Sequence, residues 1–550
     1  MKRIGQFFKK HWKKFLLAII IIAIIAGIIY LSFRAYDRYR ENLLTDPAWI
    51  RENVNFVENN EGVYEVEKDE EISIFSEDYQ NIIEEKIEEL KDSADYTLEN
   101  PLIIHNPYGT GSLSYYLYYT DSDEDLDYKI ETEGYSNFEQ EISHKDSNEY
   151  QLVGFVPGET NTLTLTSGDE EHEFTITTPK SEADIDTQVE VVEGDSEEEL
   201  TDGLYALLGH DKNYNSNIYL YDNEGVLREE LVLDSYRADR IIFEDDYMYY
   251  AYNKKGIVKV NDLGKIEEFY NLGKYSMHHD MVYDEDNNRF VILVNEDGTD
   301  TIEDVIITVD LDTKKVEKIV DMKDLLPEFY LNAVKPEGKN TYGGYELDWI
   351  HLNSLSLIGD DIVLSSRELS TIIYISDAYT DPSVKYLLTD ESVTEDTSYG
   401  DLLYEKVGDF VSQAGQHSIT YYTDETLEDG GYYLYMFNNN YQGARTRPNF
   451  DWSNYPGTGT YNEGETSYFY QYKVNENDKT YELVKSFEIP YSSIVSDVEI
   501  LDDGNIVVGS GKDNSYGEYD NDGNLIRQFN YNSKKYAYRV FKYEFNNLFD

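Results

Sequence analysis

From about Leu102 to the C-terminus, apolar and polar residues alternate with a period of two, in short runs broken by Gly, Pro, Asn and Asp. Such runs read as strands joined by tight turns. One stretch departs from this pattern. SEDYQNIIEEKIEELKDS (Ser76 to Ser93) spaces its apolar residues as a helix does and predicts one surface helix. The runs IIHNPYGTGSLSYYLYYT, EYQLVGFVPGETNTLTLT and HEFTITT predict a small β-sandwich over residues 96–180. The acidic segment SEADIDTQVEVVEGDSEEEL, residues 181–200, then reads as a linker, and residues 34–95 read as a stalk carrying the helix.

Beyond residue 200 a pattern repeats. A strand, an Asp- or Asn-bearing turn and a returning strand occur in YLYDNEGVLREELVL, GIVKVNDLGKIEEFY, ITVDLDTKKVEKIV, IIYISDAYTDPSVKYLL, YKVNENDKTYELVKSF and GEYDNDGNLIRQF. A second strand pair precedes most of these, as in RADRIIFEDDYMYYAYN and DVEILDDGNIVVGSG. The C-terminal run YAYRVFKYEF, set beside GLYALLG near residue 205, completes the set. Residues 201–550 are therefore expected to form a six-bladed β-propeller closed by its last strand, so the fold class is all-β. Closure of the ring leaves few unpaired strand edges.

The N-terminus has a different pattern. Phe15 to Phe33 is an apolar run of 19 residues, long enough to cross a bilayer as a helix. Lys2, Arg3, Lys9, Lys10, Lys13 and Lys14 precede it; Arg34, Arg38 and Arg40 follow. This excess predicts a cytoplasmic segment 1–14, a transmembrane anchor 15–33 and soluble domains outside the cytoplasm. A cleaved signal peptide is the rival, but the exit Tyr-Leu-Ser-Phe-Arg does not resemble a cleavage site.

Composition adds limits. A formal net charge of −64 argues against nucleic acid as a partner and means that any anion site needs its own local positive charge. No Cys is present, so disulfides, thiolate nucleophiles and Cys-based metal sites are excluded. The 53 Tyr favour strands, but they are too many to single out those lining a binding site.

Of nine His, four fall where the first strands of propeller units begin: His278, His279, His351 and His417. In a propeller such positions crowd around the axis. DWIHLNSLSLIGDDIVLSSRELSTIIYI (Asp348 to Ile375) adds Arg367 on the strand returning from His351. If this hairpin folds about Gly359–Asp361, Ile358 faces Ile362, Asn353 faces Arg367, and His351 lies one diagonal step away. A cationic, hydrogen-bonding spot of this kind suits a compact oxyanion such as sulfate or phosphate. Zinc on the His-His-Asp run plus two further His is the chemical rival, and Arg367 disfavours a dication there.

Several segments resemble the bacterial arylsulfate sulfotransferases that work without a nucleotide sulfate donor. They are NPYGTGSL (Asn106 to Leu113), VGFVPGETNTLTL, MHHD (Met277 to Asp280), DWIHLNS (Asp348 to Ser354), SSRELSTIIYI (Ser365 to Ile375) and GQHSITYY (Gly415 to Tyr422). The resemblance implies a sandwich plus a six-bladed propeller. It also implies ping-pong transfer of a sulfuryl group from an aryl sulfate, through a sulfohistidine, to a phenol. By position, His417 matches the nucleophile. His279, His351 and Arg367 match further catalytic residues, with Asn353 and His278 as substrate-binding residues; between His278 and His279, the His before Asp fits the motif better. No metal or cofactor is implied, and relatives suggest a homodimer. The chain departs from the family in lacking Cys, in carrying an anchor where many relatives have a cleaved signal, and in reading MFNNNYQGAR (Met436 to Arg445) where an Asp-Asn-Gly-like turn is expected. The contrasting expectations are a membrane-anchored, non-catalytic propeller acting as a surface receptor, and a metal-dependent hydrolase or lyase.

Overall fold

The computed structural model describes residues 43–543, except 214, 215, 236, 341, 342 and 425, together with five isolated positions before residue 43. The expected anchor at 15–33 and the segment before it lie almost wholly outside the described residues. Among the described residues no helix is long and apolar enough to cross a membrane.

The N-terminal part holds two sheets. One runs Val54–Glu58, Val63–Lys68, Leu102–His105, Tyr115–Tyr118, Glu149–Leu152, with its second and third strands parallel. The other runs Phe138–Ile142, Leu126–Thr132, Thr160–Ser167, Glu170–Thr177. Tyr115, Leu117 and Tyr150 of the first share a core with Leu126, Ile130, Leu163 and Leu165 of the second. The predicted helix forms at Glu77–Lys91, where the Ser76 hydroxyl caps the Tyr79 N–H. Its Tyr79, Ile83 and Ile87 cover Leu102, Ile104 and Tyr116. The segment expected as a stalk thus supplies two strands and a covering helix to this body, because its alternating residues 54–68 pair beside Leu102–His105.

Six further sheets follow, giving an all-β, propeller-like arrangement. Their first strands are Ile241–Glu244 in sheet two, Tyr275–Asp284 in three, Leu352–Ile358 in four, His417–Tyr422 in five and Asp497–Ile500 in six. In sheet one the C-terminal strand Ala537–Tyr543 takes this place, antiparallel to Leu204–Gly209. The acidic linker also contributes: Glu190–Glu193 adds an outer strand to sheet six, beside Leu525–Asn530.

Each sheet buries both faces against its neighbours. Ala206 and Leu220 of sheet one meet Met248 and Val258 of two. Tyr249 and Ile257 meet Phe290 and Ile292 of three. Val291 and Leu293 meet Leu355 and Leu364 of four. Val363 and Tyr374 meet Leu434 and Tyr472 of five. Phe437 and Phe469 meet Val498 and Val508 of six. Val507 and Tyr516 meet Tyr205 and Tyr219 of one.

Side chains also link the first strands of successive sheets. The Leu355 N–H donates to Asp280 Oδ2 at 3.1 Å, the Ile419 N–H to Ser354 Oγ at 2.8 Å, and the Val540 N–H to Asp497 Oδ1 at 2.9 Å. These strands thus approach through side chains where no sheet ladder joins them.

Candidate active site

The same irregularity marks the first strands of sheets three, four and five, and the closing strand of sheet one. Ladder pairing slips between Met277 and Met281, between Leu352 and Ser354, between His417 and Thr420, and opposite Leu208/Gly209 at Tyr538. His279, His351 and Ser418 take left-handed φ of 63°, 50° and 58°. Such conformations strain non-glycine residues and here turn side chains out of strand alternation.

The hairpin register differs from the sequence expectation. Ile358 pairs with Asp361, Leu357 with Ile362, and Leu352 with Ser366, so Gly359–Asp360 is a two-residue turn and Asn353 is the bulged residue. Arg367 instead lies beyond the paired segment, and its N–H donates to the His351 carbonyl at 3.1 Å.

The bulged segments converge. The His279 ring lies 4.9 Å from that of His351 and 5.5 Å from that of Tyr538, centroid to centroid. His278 lies behind it, the two Nδ1 atoms 2.9 Å apart, within hydrogen-bond distance. His351 Nδ1 donates to Asp348 Oδ2 at 2.7 Å and contacts Glu303. Arg367 Nη2 is 3.7 Å from the same Asp348 oxygen. His417 Nδ1 donates to Asn439 Oδ1 at 2.7 Å, while the Asn439 amide donates to the Ser492 and Val495 carbonyls at 2.7 and 3.0 Å. Asn353 is fully buried, and its amide donates to the Gln416 carbonyl at 2.7 Å, beside His417. Arg539 forms a buried two-pronged pair with Asp280 at 2.8 and 3.1 Å, and both Arg539 and Tyr538 donate to the Asn353 carbonyl.

These groups are nearly sealed: His417 and His351 are 2% exposed, His279 7% and Arg367 9%. Charge is therefore decided by partners rather than solvent. Burial, together with Arg367, His351 and Arg539, holds His417 well below the usual imidazole value despite the opposing Asn439 bond, so it is neutral. His279 is likewise lowered by burial and by His351. For His351, burial and Arg367 pull down, but Asp348 and Glu303 prevail and raise it to about 9. At neutral pH one imidazolium stands among neutral ones.

Among the buried nitrogens at the site with no hydrogen-bond partner among the described residues are His351 Nε2 and Arg367 Nε. They are donors beside a neutral imidazole, a set suited to an oxyanion. The sets His278–His279–Glu303 and Glu303–Asp348–His351 are close enough to ligate an ion. The latter set, however, is already balanced, its two carboxylates facing one imidazolium and Arg367. An aromatic pair flanks the site. Tyr441 packs beside Gly443 and Gly415, and its ring lies 6.4 Å from that of Tyr461, which is 47% exposed with Lys512 Nζ 3.6 Å from its ring centroid.

All six residues singled out from the sequence thus lie in or against one cluster. The sequence reading missed Glu303, Asn439 and Arg539, and it took Asp280 only as part of the His-His-Asp run, not as the partner of Arg539. Of the missed residues, Asn439 carried a signal, as part of the Asn-rich departure from the expected turn.

The model of the family described as Arylsulfotransferase (ASST) matches residues 189–546. The chain belongs to the arylsulfotransferase family. The match takes in every sheet of the propeller-like region and all the residues converging here. Within this family member, the chemistry is the transfer of sulfate carried by aryl groups. No curated protein sequence matches the chain. Among solved structures, a putative 6-phosphogluconolactonase from Bacteroides fragilis aligns at 10% identity over 77% of this chain and 99% of that one, with a TM-score of 0.33. A luciferin-regenerating enzyme aligns at 10% identity over 64% and 100%, with a TM-score of 0.31. AztD from Citrobacter koseri aligns at 9% identity over 76% and 98%, with a TM-score of 0.26.

Proposed function

We propose that this chain moves a sulfuryl group from an aryl sulfate to a phenol in two steps, without a nucleotide donor, through a sulfohistidine at His417. The reading includes a closed six-bladed propeller with the site at its axis. The pairing of Ala537–Tyr543 with Leu204–Gly209 and the unbroken cycle of shared cores support that geometry.

The observation that carries the mechanism is the state of His417. With Nδ1–H donated to Asn439, the lone pair sits on Nε2 of a neutral ring, which is the nucleophilic form. In the first step this lone pair attacks sulfur, an N–S bond forms, and the S–O bond to the aryl group breaks with its electron pair leaving on the phenolate. Arg367 offers Nε to the peripheral sulfuryl oxygens. His351 holds its Nδ1–H against Asp348 and Glu303, so its second proton is on Nε2. It gives that proton to the departing phenolate and, once neutral, takes one back from the acceptor phenol as the phenol oxygen attacks sulfur. Asn353 and His278 act from behind: Asn353 braces the Gln416 backbone, and His278 backs His279. Tyr441 and Tyr461 supply the face for the aryl ring.

The uncleaved anchor, the extracytoplasmic placement and the homodimer remain part of this proposal; the apolar run at 15–33 and the basic residues before it support the anchor and its orientation.

The test is turnover by the purified chain of 4-nitrophenyl sulfate with phenol, without nucleotide or metal. Nitrophenolate release that depends on phenol, with phenyl sulfate as product, is expected. Absence of transfer across a panel of aryl sulfates and phenols overturns the reading.

A further inference from the structure

We propose that Glu303 is a positioning residue that keeps the mobile proton on His351 by holding its carboxylate against the Nδ1 side of that ring. This deepens the sulfuryl-transfer reading and rests on it.

Glu303 lies in the loop between the second and third strands of sheet three, away from every motif that marks the site. It is 1% exposed. Its φ of 61° is left-handed, a strained state for a glutamate. The backbone is pinned there from both sides: its N–H donates to Asn295 Oδ1 at 2.7 Å, and its carbonyl accepts the Leu352 N–H at 3.0 Å. This turns the carboxylate toward the bulged strands. One oxygen contacts His351 Nδ1; the other is 3.6 Å from His279 Nδ1.

The two imidazoles thus share one carboxylate but differ in everything else around them. His351 also faces Asp348 from its own segment, with Arg367 opposing from just beyond the next strand. His279 faces His278 from its own strand, Arg237 from the connection leading into sheet two, and His351 and His417 from sheets four and five, all of which oppose a positive charge on it. A single buried carboxylate next to both rings therefore tips the balance toward a proton on His351, where a second carboxylate assists, while burial and the groups facing His279 outweigh it there. Burial raises the Glu303 carboxyl above its usual range, and His351 and Arg367 oppose that rise; ionised, Glu303 and Asp348 together offset His351 and Arg367, so the four groups are neutral as a set. When His351 passes its Nε2 proton to the leaving phenolate, the set becomes negative by one charge. Glu303 then favours return of a proton from the acceptor phenol, which is the second half of the reaction.

Glu303→Gln keeps the shape and removes the charge. Losing a carboxylate in contact with an imidazole lowers its pKa by about 1–3 units. The upper pH limb of kcat then moves down by about two units. Near pH 8 this lowers kcat about tenfold, whereas near pH 6, where His351 is protonated in both proteins, the variant approaches the wild-type rate. KM changes little, and Glu303→Asp restores part of the shift. A purely structural role predicts instead a loss that does not depend on pH; that result, or an unmoved upper limb, overturns the proposal. If Glu303→Gln does not fold, NMR of histidine-labelled wild type decides: His351 charged and His279 neutral near pH 7.5 supports the proposal, and a neutral His351 ends it. Failure of the wild type to transfer sulfate strikes the parent reading, whereas turnover with an unchanged pH limb in the variant strikes only the role of Glu303.

Discussion

At the scale of single residues, proton placement organises the site. Asn439 fixes which nitrogen of His417 carries hydrogen, so Asn439→Leu frees the ring and is expected to lower kcat about 10- to 100-fold with KM little changed. Steady-state kinetics with 4-nitrophenyl sulfate checks this; a wild-type kcat in Asn439→Leu would show that the tautomer does not need fixing. Arg367→Lys keeps a charge but loses the planar fork, and a loss of about 100-fold in kcat/KM is expected. His351 also gives the protein a pH signature. Its value is raised to about 9, so the protonated form is present at neutral pH and activity is lost as pH rises through about 9. The sign for stability is the same: the stabilisation from its carboxylate partners is complete below the ordinary imidazole value and disappears as pH climbs through about 9. A pH–rate profile, with urea melts at several pH values, reads both. At this scale the sequence was informative about histidines and arginine because they are scarce in an acidic chain. It was silent about Glu303, one of 110 Asp and Glu, which nothing in its local pattern distinguishes.

At the scale of elements, bulges bring the chemistry together. Strict alternation pairs Asn353 with Arg367, whereas the extra residue at Asn353 pairs Leu352 with Ser366 and turns the Asn353 amide toward Gln416. A bulge is a backbone event with no fixed residue signature, so periodicity alone located the strands but not their register near the site. Gly415 shows how tightly one such segment is held. Its φ is +65°, and a Cβ there would lie 3.0 Å from the Tyr441 carbonyl oxygen. Gly415→Val is expected to destabilise the fold by about 1–3 kcal/mol and to lower activity by displacing His417; unchanged melting and unchanged kcat would show that the segment tolerates movement. The aromatic pair on the connection between Gly431–Asn438 and Ser467–Asn475 belongs to this scale as well. Tyr441→Ala and Tyr461→Ala are expected to raise KM for aryl sulfates several-fold, more for larger rings, with less effect on kcat.

At the scale of the whole molecule, repeating strand pairs were legible because each unit carries the same alternation and turn residues. The role of the linker and of residues 54–68 was not, since an isolated edge strand in an acidic segment looks like any polar stretch until its partner is known. The links between sheets are long-range and equally invisible to local pattern. Asp280 and Arg539 are both fully buried and lie 259 residues apart. Arg539→Met leaves the Asp280 charge in the core with Arg240, 3.1 Å away, as its remaining cationic partner among the described residues, and is expected to cost about 3 kcal/mol in chemical denaturation. A variant as stable as the wild type would mean the pair does not fasten the last strand. All these features serve one claim: distant strands hold a neutral His417 beside cationic donors, ready to carry a sulfuryl group. The most direct measurement is mass spectrometry of peptides from the protein quenched after exposure to 4-nitrophenyl sulfate without acceptor. The account predicts one added sulfuryl group on the peptide bearing His417, removed by phenol and absent in His417→Ala. Transfer to phenol proceeding with no such adduct, or undiminished in His417→Ala, would contradict it.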